Sequence, residues 1–145
     1  MAIVLAVNSS KEKGVPKKNI EVGYFVADHG LEGDAHAASW HRQVSLLGNE
    51  SVEKVKALGL PDLEYGAFAE NLTTEGITLY ELPVGTKLRV GETLMEVTQI
   101  GKECHTGCAI RQKTGDCVMP REGIFTKVLE PGWVRQGDSI EIAEQ

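Results

Sequence analysis

The chain has 145 residues, 41% of them hydrophobic and 25% charged, and a net charge of −6. This is the composition of an ordinary globular protein, and one domain of this size (residues 1–145) buries roughly 68–70% of its unfolded surface. The acidic balance excludes broad nucleic-acid binding, which needs a basic face to displace counterions, but leaves room for a local basic pocket and an anionic small molecule.

From the N-terminus, residues 2–7 are an apolar strand. They form the longest apolar stretch in the chain, far short of the roughly twenty residues that cross a membrane. They are not preceded by a basic n-region or followed by a cleavage site, so a cytoplasmic protein is expected. Residues 9–18 form a polar, Lys-rich loop with Gly14 and Pro16, and residues 19–26 alternate as a second strand.

A polar cluster follows, Asp28-His-Gly-Leu-Glu-Gly-Asp-Ala-His36, and then Trp40-His-Arg-Gln43. Asp34, His36 and His41 are carboxylate and imidazole groups of the kind that ligate Zn or Fe. A second reading makes the glycines turn residues, Asp34 a turn or cap acceptor, and the His and Arg residues oxyanion binders, with Arg42 as a bidentate fork. A solvated loop is the third, and spacing does not decide among them.

Residues 43–47 are a brief strand. Residues 50–58 predict a helix with Val52, Val55 and Leu58 on one face, Gly59 at its end and Pro61 beyond. In residues 66–76, Glu70-Asn71 is either an exposed polar pair offering an acceptor and amide donors, or part of a turn into a short strand at 71–74. Residues 86–90 and 93–100 flank Gly91-Glu92 as a hairpin.

A helix is expected from Pro120, with the pairs Ile124-Phe125 and Val128-Leu129 four apart and Pro131-Gly132 as terminator. Residues 139–142 close the chain as a strand. Leu88-Arg-Val-Gly-Glu-Thr-Leu echoes Val134-Arg-Gln-Gly-Asp-Ser-Ile140, which reads as two turns of one type rather than a duplication. Strand signals outnumber helical ones, so the expected fold is mainly β, a barrel-like sheet with a few short helices.

The strand at 93–100 runs into Gly101-Lys-Glu-Cys-His-Thr-Gly-Cys-Ala-Ile110. Three cysteines cannot close a disulfide framework, which moves weight toward reactive or ligating thiols. Cys104 stands between Lys102 and His105, cations that favour the thiolate, the form that attacks electrophiles and binds soft metals. The plain alternative is a small buried residue at a strand end. Cys104, Cys108 and Cys117 lack the matched second pair of a zinc site, and Cys117, beside Val118 and Met119, reads as core. Between Gly101 and Arg121 the local charge is +2, from Lys102, Arg111, Lys113 and Arg121 against Glu103 and Asp116, an inversion that suits an anionic ligand.

Six segments in order resemble the MOSC domain, the C-terminal domain of molybdenum cofactor sulfurases. They are Gly30-Leu-Glu-Gly-Asp-Ala-His36, His41-Arg-Gln-Val-Ser-Leu-Leu47, Glu70-Asn-Leu-Thr-Thr74, Leu82-Pro-Val-Gly85, Val97-Thr-Gln99 followed by Cys104-His105, and Arg121-Glu-Gly-Ile-Phe125. The match covers essentially the whole chain.

The resemblance implies a β-barrel-like fold and binding of the molybdenum cofactor, a pterin bearing phosphate and dithiolene, or handling of its terminal sulfur. It points to Cys104, five residues after Gln99, as molybdenum ligand or persulfide carrier, with Cys108 as an assistant in the same segment. It also implies that His36, Arg42 and Arg121 hold the pterin phosphate, that Asn71 gives an amide hydrogen bond, and that His105 lies beside the thiol.

The pyridoxal-phosphate domain of the sulfurases and the extra N-terminal β domain of larger molybdenum reductases have no counterpart here. A stand-alone form is therefore expected, for which enzymatic activity does not follow. Its expected partners are the anionic cofactor and a sulfur donor or molybdoenzyme, with no nucleic acid and no membrane. One rival is a small molybdo-reductase of N-hydroxylated compounds, which would need an electron-donor partner because the chain has no flavin or haem motif. Another is a non-catalytic docking module, with or without zinc on Cys104 and Cys108.

Overall fold

The computed structural model describes residues 2–13, 15–101 and 122–144. In chain order the elements are β1 (Ala2–Ser9), β2 (Lys18–Asn19), β3 (Val22–Val26), β4 (Gly30–Leu31), β5 (Val44–Gly48), α1 (Asn49–Lys56), β6 (Leu72–Glu75), a 3-10 turn (Leu79–Glu81), β7 (Lys87–Val90), β8 (Thr93–Ile100), β9 (Ile124–Glu130), β10 (Gly132–Arg135) and β11 (Ser139–Glu144). Strands make up 45% of the described residues, and the fold is mainly β as expected.

Seven strands close into a barrel in the order β11-β7-β8-β9-β5-β6-β1, with β1 returning to β11 through Ala2↔Ile140. All neighbours are antiparallel except β5 and β6, which run parallel from Leu46↔Leu72 to Gly48↔Thr74. A parallel pair needs a crossover connection, and residues 49–71 with α1 provide it. A small sheet, β10-β3-β4, adds Phe25, Leu31 and Val134 to the barrel core.

Alternation places Leu88, Val90, Met95, Val97, Ile124 and Val128 inside. The strand β5 is buried along its whole length because both faces are covered. Val44 and Leu46 belong to the barrel core, while Leu47 joins Val52, Val55, Phe68 and Phe125 in a second cluster beneath α1.

The hairpin of β7 and β8 forms where expected, with Val90↔Thr93 as its last pair. Gly91 has φ +54, and a Cβ there would lie 2.6 Å from Asp138 Oδ2 and 3.0 Å from the Trp133 carbonyl. The two echoing turns thus face each other, and Gly91 N–H donates to Ser139 O at 3.1 Å. They are two turns in contact and not a duplicated unit, since β10 pairs with β3.

Three expectations need correction. The region around 124–129 is strand β9, not helix: Ile124, Thr126 and Val128 all point inward at a period of two, and β8 and β5 supply a ladder on each side. Apolar residues four apart fit either period, and β-branched residues tip the balance once neighbouring strands are present. The predicted strand over 19–26 is broken at Glu21 (φ 68), where the Asn19 side chain accepts the Glu21 N–H at 2.8 Å in a local turn. The helix α1 stops before Leu58, which is 53% exposed rather than on the buried face.

The Glu70-Asn71 pair is not exposed. It plugs the junction of β5, β6 and β1, with both residues buried. Glu70 Oε2 accepts from Gly66 N at 3.1 Å and Thr73 Oγ1 at 2.7 Å, and Oε1 accepts from Phe68 N at 3.1 Å. Asn8 Nδ2 donates to the Glu70 carbonyl and to Thr73 Oγ1, both at 3.1 Å. Burial pushes the Glu70 carboxyl above the ordinary carboxylate range, and the bonds from Thr73, Gly66 and Phe68 pull against it without reversing the shift.

Glu70→Gln would turn its amide N–H groups toward the backbone N–H of either Phe68 or Gly66, neither of which can accept. It is expected to cost about 1–3 kcal/mol of stability in urea unfolding, the penalty of a buried polar group left unmatched. An unchanged midpoint would mean that this clamp does not contribute to stability.

Candidate functional site

The loop from β4 to β5 is organised from within by Asp34. Its Oδ1 accepts from Lys17 Nζ at 2.8 Å, Ser10 N at 3.1 Å and Ser9 Oγ at 3.2 Å, and Oδ2 accepts from His36 N at 3.1 Å. Both side chains of the Lys17–Asp34 pair are fully buried. Burial alone would raise the Asp34 carboxyl, but the Lys17 ammonium and the Ser10 and His36 amides outweigh it and hold the group below its ordinary range.

Lys17 places its remaining protons on Ser10 Oγ at 3.2 Å and His36 Nδ1 at 3.0 Å. An ammonium has no lone pair, so His36 Nδ1 accepts, and its neutral ring carries the proton on Nε2. A surface cavity of about 600 Å³ opens beside this network, lined among others by Lys11, Pro16, Lys18 and Gly33.

Residues 40–42 form a second group. Trp40 Nε1 donates to the His36 carbonyl at 2.9 Å, and its ring meets His41 edge to face at 5.8 Å. Thr98 Oγ1 on β8 lies within hydrogen-bond reach of the His41 carbonyl and of Phe125 O, which share its single proton. Arg42 lies over the Phe125 ring at 5.2 Å, and its Nε donates to Gln99 Oε1 at 3.1 Å. No carboxylate pairs with Arg42 among the described residues, so both Nη groups remain for an anion.

This group stands where β8 ends. Gln99 Nε2 donates to Gly101 O at 2.8 Å, and Gly101 N donates to Gly123 O at 2.6 Å. The two ends of the intervening segment therefore leave adjacent strands next to Arg42.

Two of the expected site residues, His36 and Arg42, lie in the connection from β4 to β5, His36 against Lys17 and Arg42 against Gln99. Asn71 is elsewhere. Its Oδ1 accepts from Ser45 N at 3.0 Å and Ser45 Oγ at 3.2 Å, and its Nδ2 donates to Asn8 O at 3.3 Å, so its amide braces β5 against β1. Cys104, His105, Cys108, Cys117 and Arg121 lie outside the described residues. The metal set of Asp34, His36 and His41 is not assembled: Asp34 faces Lys17, and no group of three or more His, Cys, Asp or Glu side chains among the described residues converges on one point.

Sequence reasoning missed Lys17, one of four lysines in a polar loop with nothing in its neighbours to mark it as buried. It used Gln99 only as a spacing marker, although this side chain orients both His41 and Arg42.

Removing the partner of a buried charge is costly, so Lys17→Met is expected to lose about 3–5 kcal/mol in denaturant unfolding. The pH dependence has a definite sign. A carboxyl lowered by folding contributes stability above its unfolded value of about 3.9 and loses it as pH falls through the lower folded value. Below about pH 4 the wild type should therefore lose stability more steeply than Asp34→Asn. Parallel acid-unfolding curves for the two proteins would contradict this.

The chain is similar to solved structures over nearly its full length. The YuaD protein from Bacillus subtilis superposes with a TM-score of 0.79 at 17% identity, covering 97% of this chain and 94% of that one. YiiM from Geobacillus stearothermophilus gives 0.74 at 17% identity, covering 99% and 76%. YiiM from Escherichia coli gives 0.70 at 20% identity, covering 100% and 71%. At these identities the likeness establishes the fold alone. No curated protein sequence matches the chain. The family model of the MOSC domain matches residues 33–141, most of the chain, and the protein belongs to the MOSC domain family.

Proposed function

We propose that this MOSC-domain protein binds the molybdenum cofactor and engages its metal or terminal sulfur through Cys104. The observation that carries the reading is Arg42. A guanidinium held at Nε by Gln99 and on its face by Phe125, with no carboxylate partner among the described residues, is prepared for a phosphate. Such an arginine fits the phosphate of a pterin cofactor, and His36 stands on the same loop, bonded to Lys17.

Cys104 follows Gly101 by three residues, within about 11 Å of it by covalent reach alone. Gly101 is itself bonded to the Gln99 side chain that holds Arg42. The reading puts an anion on Arg42 and a thiolate at Cys104 in one neighbourhood. In this reading Arg121 and His105 add positive charge and hydrogen-bond donors to it. Cys108 is an assistant to the thiol, and Asn71 acts indirectly by bracing the strand that follows Arg42.

When bound, the cofactor supplies a redox-active metal with an exchangeable sulfur or oxygen ligand. The chain's own task is to hold the phosphate, exclude water from the strand end and present a thiolate, which serves as soft ligand or as persulfide. The partner in the second case is a protein that donates or accepts sulfur.

Purification from a host that makes the cofactor, followed by assays for molybdenum, pterin and persulfide, tests the reading. Wild type should carry pterin with molybdenum or sulfane sulfur. Cys104→Ser should lose the metal or sulfur, and Arg42→Ala should lose at least ten-fold in pterin occupancy, about the worth of one charge-assisted pair. Equal and negligible loading of all three proteins would refute it.

A further inference from the structure

Gln99 determines more than the direction of Arg42. Its Nε2 lies 2.8 Å from the Gly101 carbonyl, which can only accept, so the amide orientation follows and Oε1 is the atom facing the other way. That oxygen meets Arg42 Nε at 3.1 Å and His41 Nε2 at 3.0 Å. An amide oxygen has no proton to give, so His41 Nε2 carries one. The neutral His41 ring is therefore the Nε2–H tautomer, and its Nδ1 is a bare lone pair.

The ring does not turn freely. Trp40 stands against it, and Thr98 anchors its backbone carbonyl. His41 is nevertheless an exposed residue, and no hydrogen bond to its Nδ1 occurs among the described residues. One amide oxygen thus holds a guanidinium whose two Nη groups have no partner among the described residues beside an imidazole whose outer nitrogen can only accept.

We infer that Gln99 is a positioning residue that joins His41 and Arg42 into one receptor for an oxyanion still carrying a proton, hydrogen phosphate or a monoprotonated phosphate monoester. Arg42 Nη–H groups donate to the charged oxygens, and His41 Nδ1 accepts from the P–OH. The inference rests on the reading of Arg42 as an anion binder and adds what sets its selectivity. Sulfate has the same size and shape but no proton at neutral pH, so it leaves Nδ1 without a partner, and a site built around a substrate hydroxyl rejects the analogue that lacks it.

The test uses the full chain labelled with ¹⁵N, at pH 7.5, above the ordinary titration range of an imidazole. Long-range ¹H–¹⁵N spectra should show His41 protonated at Nε2. Titration with inorganic phosphate and with sulfate at constant ionic strength, followed at the Arg42 Nε–H signal, should give phosphate at least ten-fold tighter. His41→Phe should abolish that discrimination while keeping weak binding of both ions. Gln99→Leu should weaken phosphate by about ten-fold and mix the His41 tautomers.

A wild-type His41 protonated at Nδ1, or equal affinity for the two anions, overturns the inference, and both are read on wild type if Gln99→Leu does not fold. Discrimination intact in a protein that never acquires pterin overturns the cofactor reading instead. Pterin loading that depends on Arg42, together with equal phosphate and sulfate affinity, overturns only this inference.

Discussion

Strand direction alternates around a ring of antiparallel neighbours, so a closed ring of seven strands must contain a parallel pair. Here that pair is β5 and β6, and much of the molecule follows from it. The crossover between them carries α1 to the outside of the barrel, which covers β5 on its outer face and creates the second apolar cluster with Leu47, Val55 and Phe125. Arg42 rests on one ring of that cluster. The platform beneath the candidate anion site is thus a by-product of closing the barrel.

The same junction has a polar interior. Asn8, Ser45, Glu70, Asn71 and Thr73 satisfy one another where β1, β5 and β6 meet, and a few residues on Lys17 and Asp34 form a fully buried ion pair. Apolar packing does not define the course of the long loops at this end; oriented hydrogen bonds do. Glu70 fixes the loop that includes Gly66, whose φ is +90 and whose missing Cβ would lie 2.2 Å from the Lys17 carbonyl. Gly66 O in turn receives Lys17 N at 2.8 Å. The two buried carboxyls are shifted in opposite directions for one reason: Asp34 has a cation and Glu70 has only dipoles.

Local patterns proved legible where an element answers to its own residues. The hairpin at Gly91, the apolar strand β1, the alternation of β8 and the buried face of α1 at Val52 and Val55 all formed near their expected places. Legibility failed where a neighbour decides. Ile124-Phe125 and Val128-Leu129 satisfy a helical period, and it took β8 and β5 on either side to make them a strand. Pro131-Gly132 reads as the terminator of that helix, because a glycine after a proline is punctuation until β3 pairs with β10. Asn71 was expected to offer its amide to a ligand, but Asn8 and Ser45 already occupy it.

The sequence by itself determined the fold class, the family resemblance and the identity of Arg42 as a residue suited to an oxyanion, because these depend on composition, order and side-chain chemistry. Only the tertiary structure decided which polar groups are committed and which are open. Lys17 and Asp34 lie seventeen positions apart and Gln99 and Arg42 fifty-seven, separations at which spacing along the chain says nothing about contact. Burial then turned Lys17–Asp34 into scaffold, while a single amide oxygen on β8 turned His41 and Arg42 toward solvent as a pair. The proton on His41 follows from that geometry and cannot be read from the letters, since a histidine has two nitrogens and only its partners choose between them.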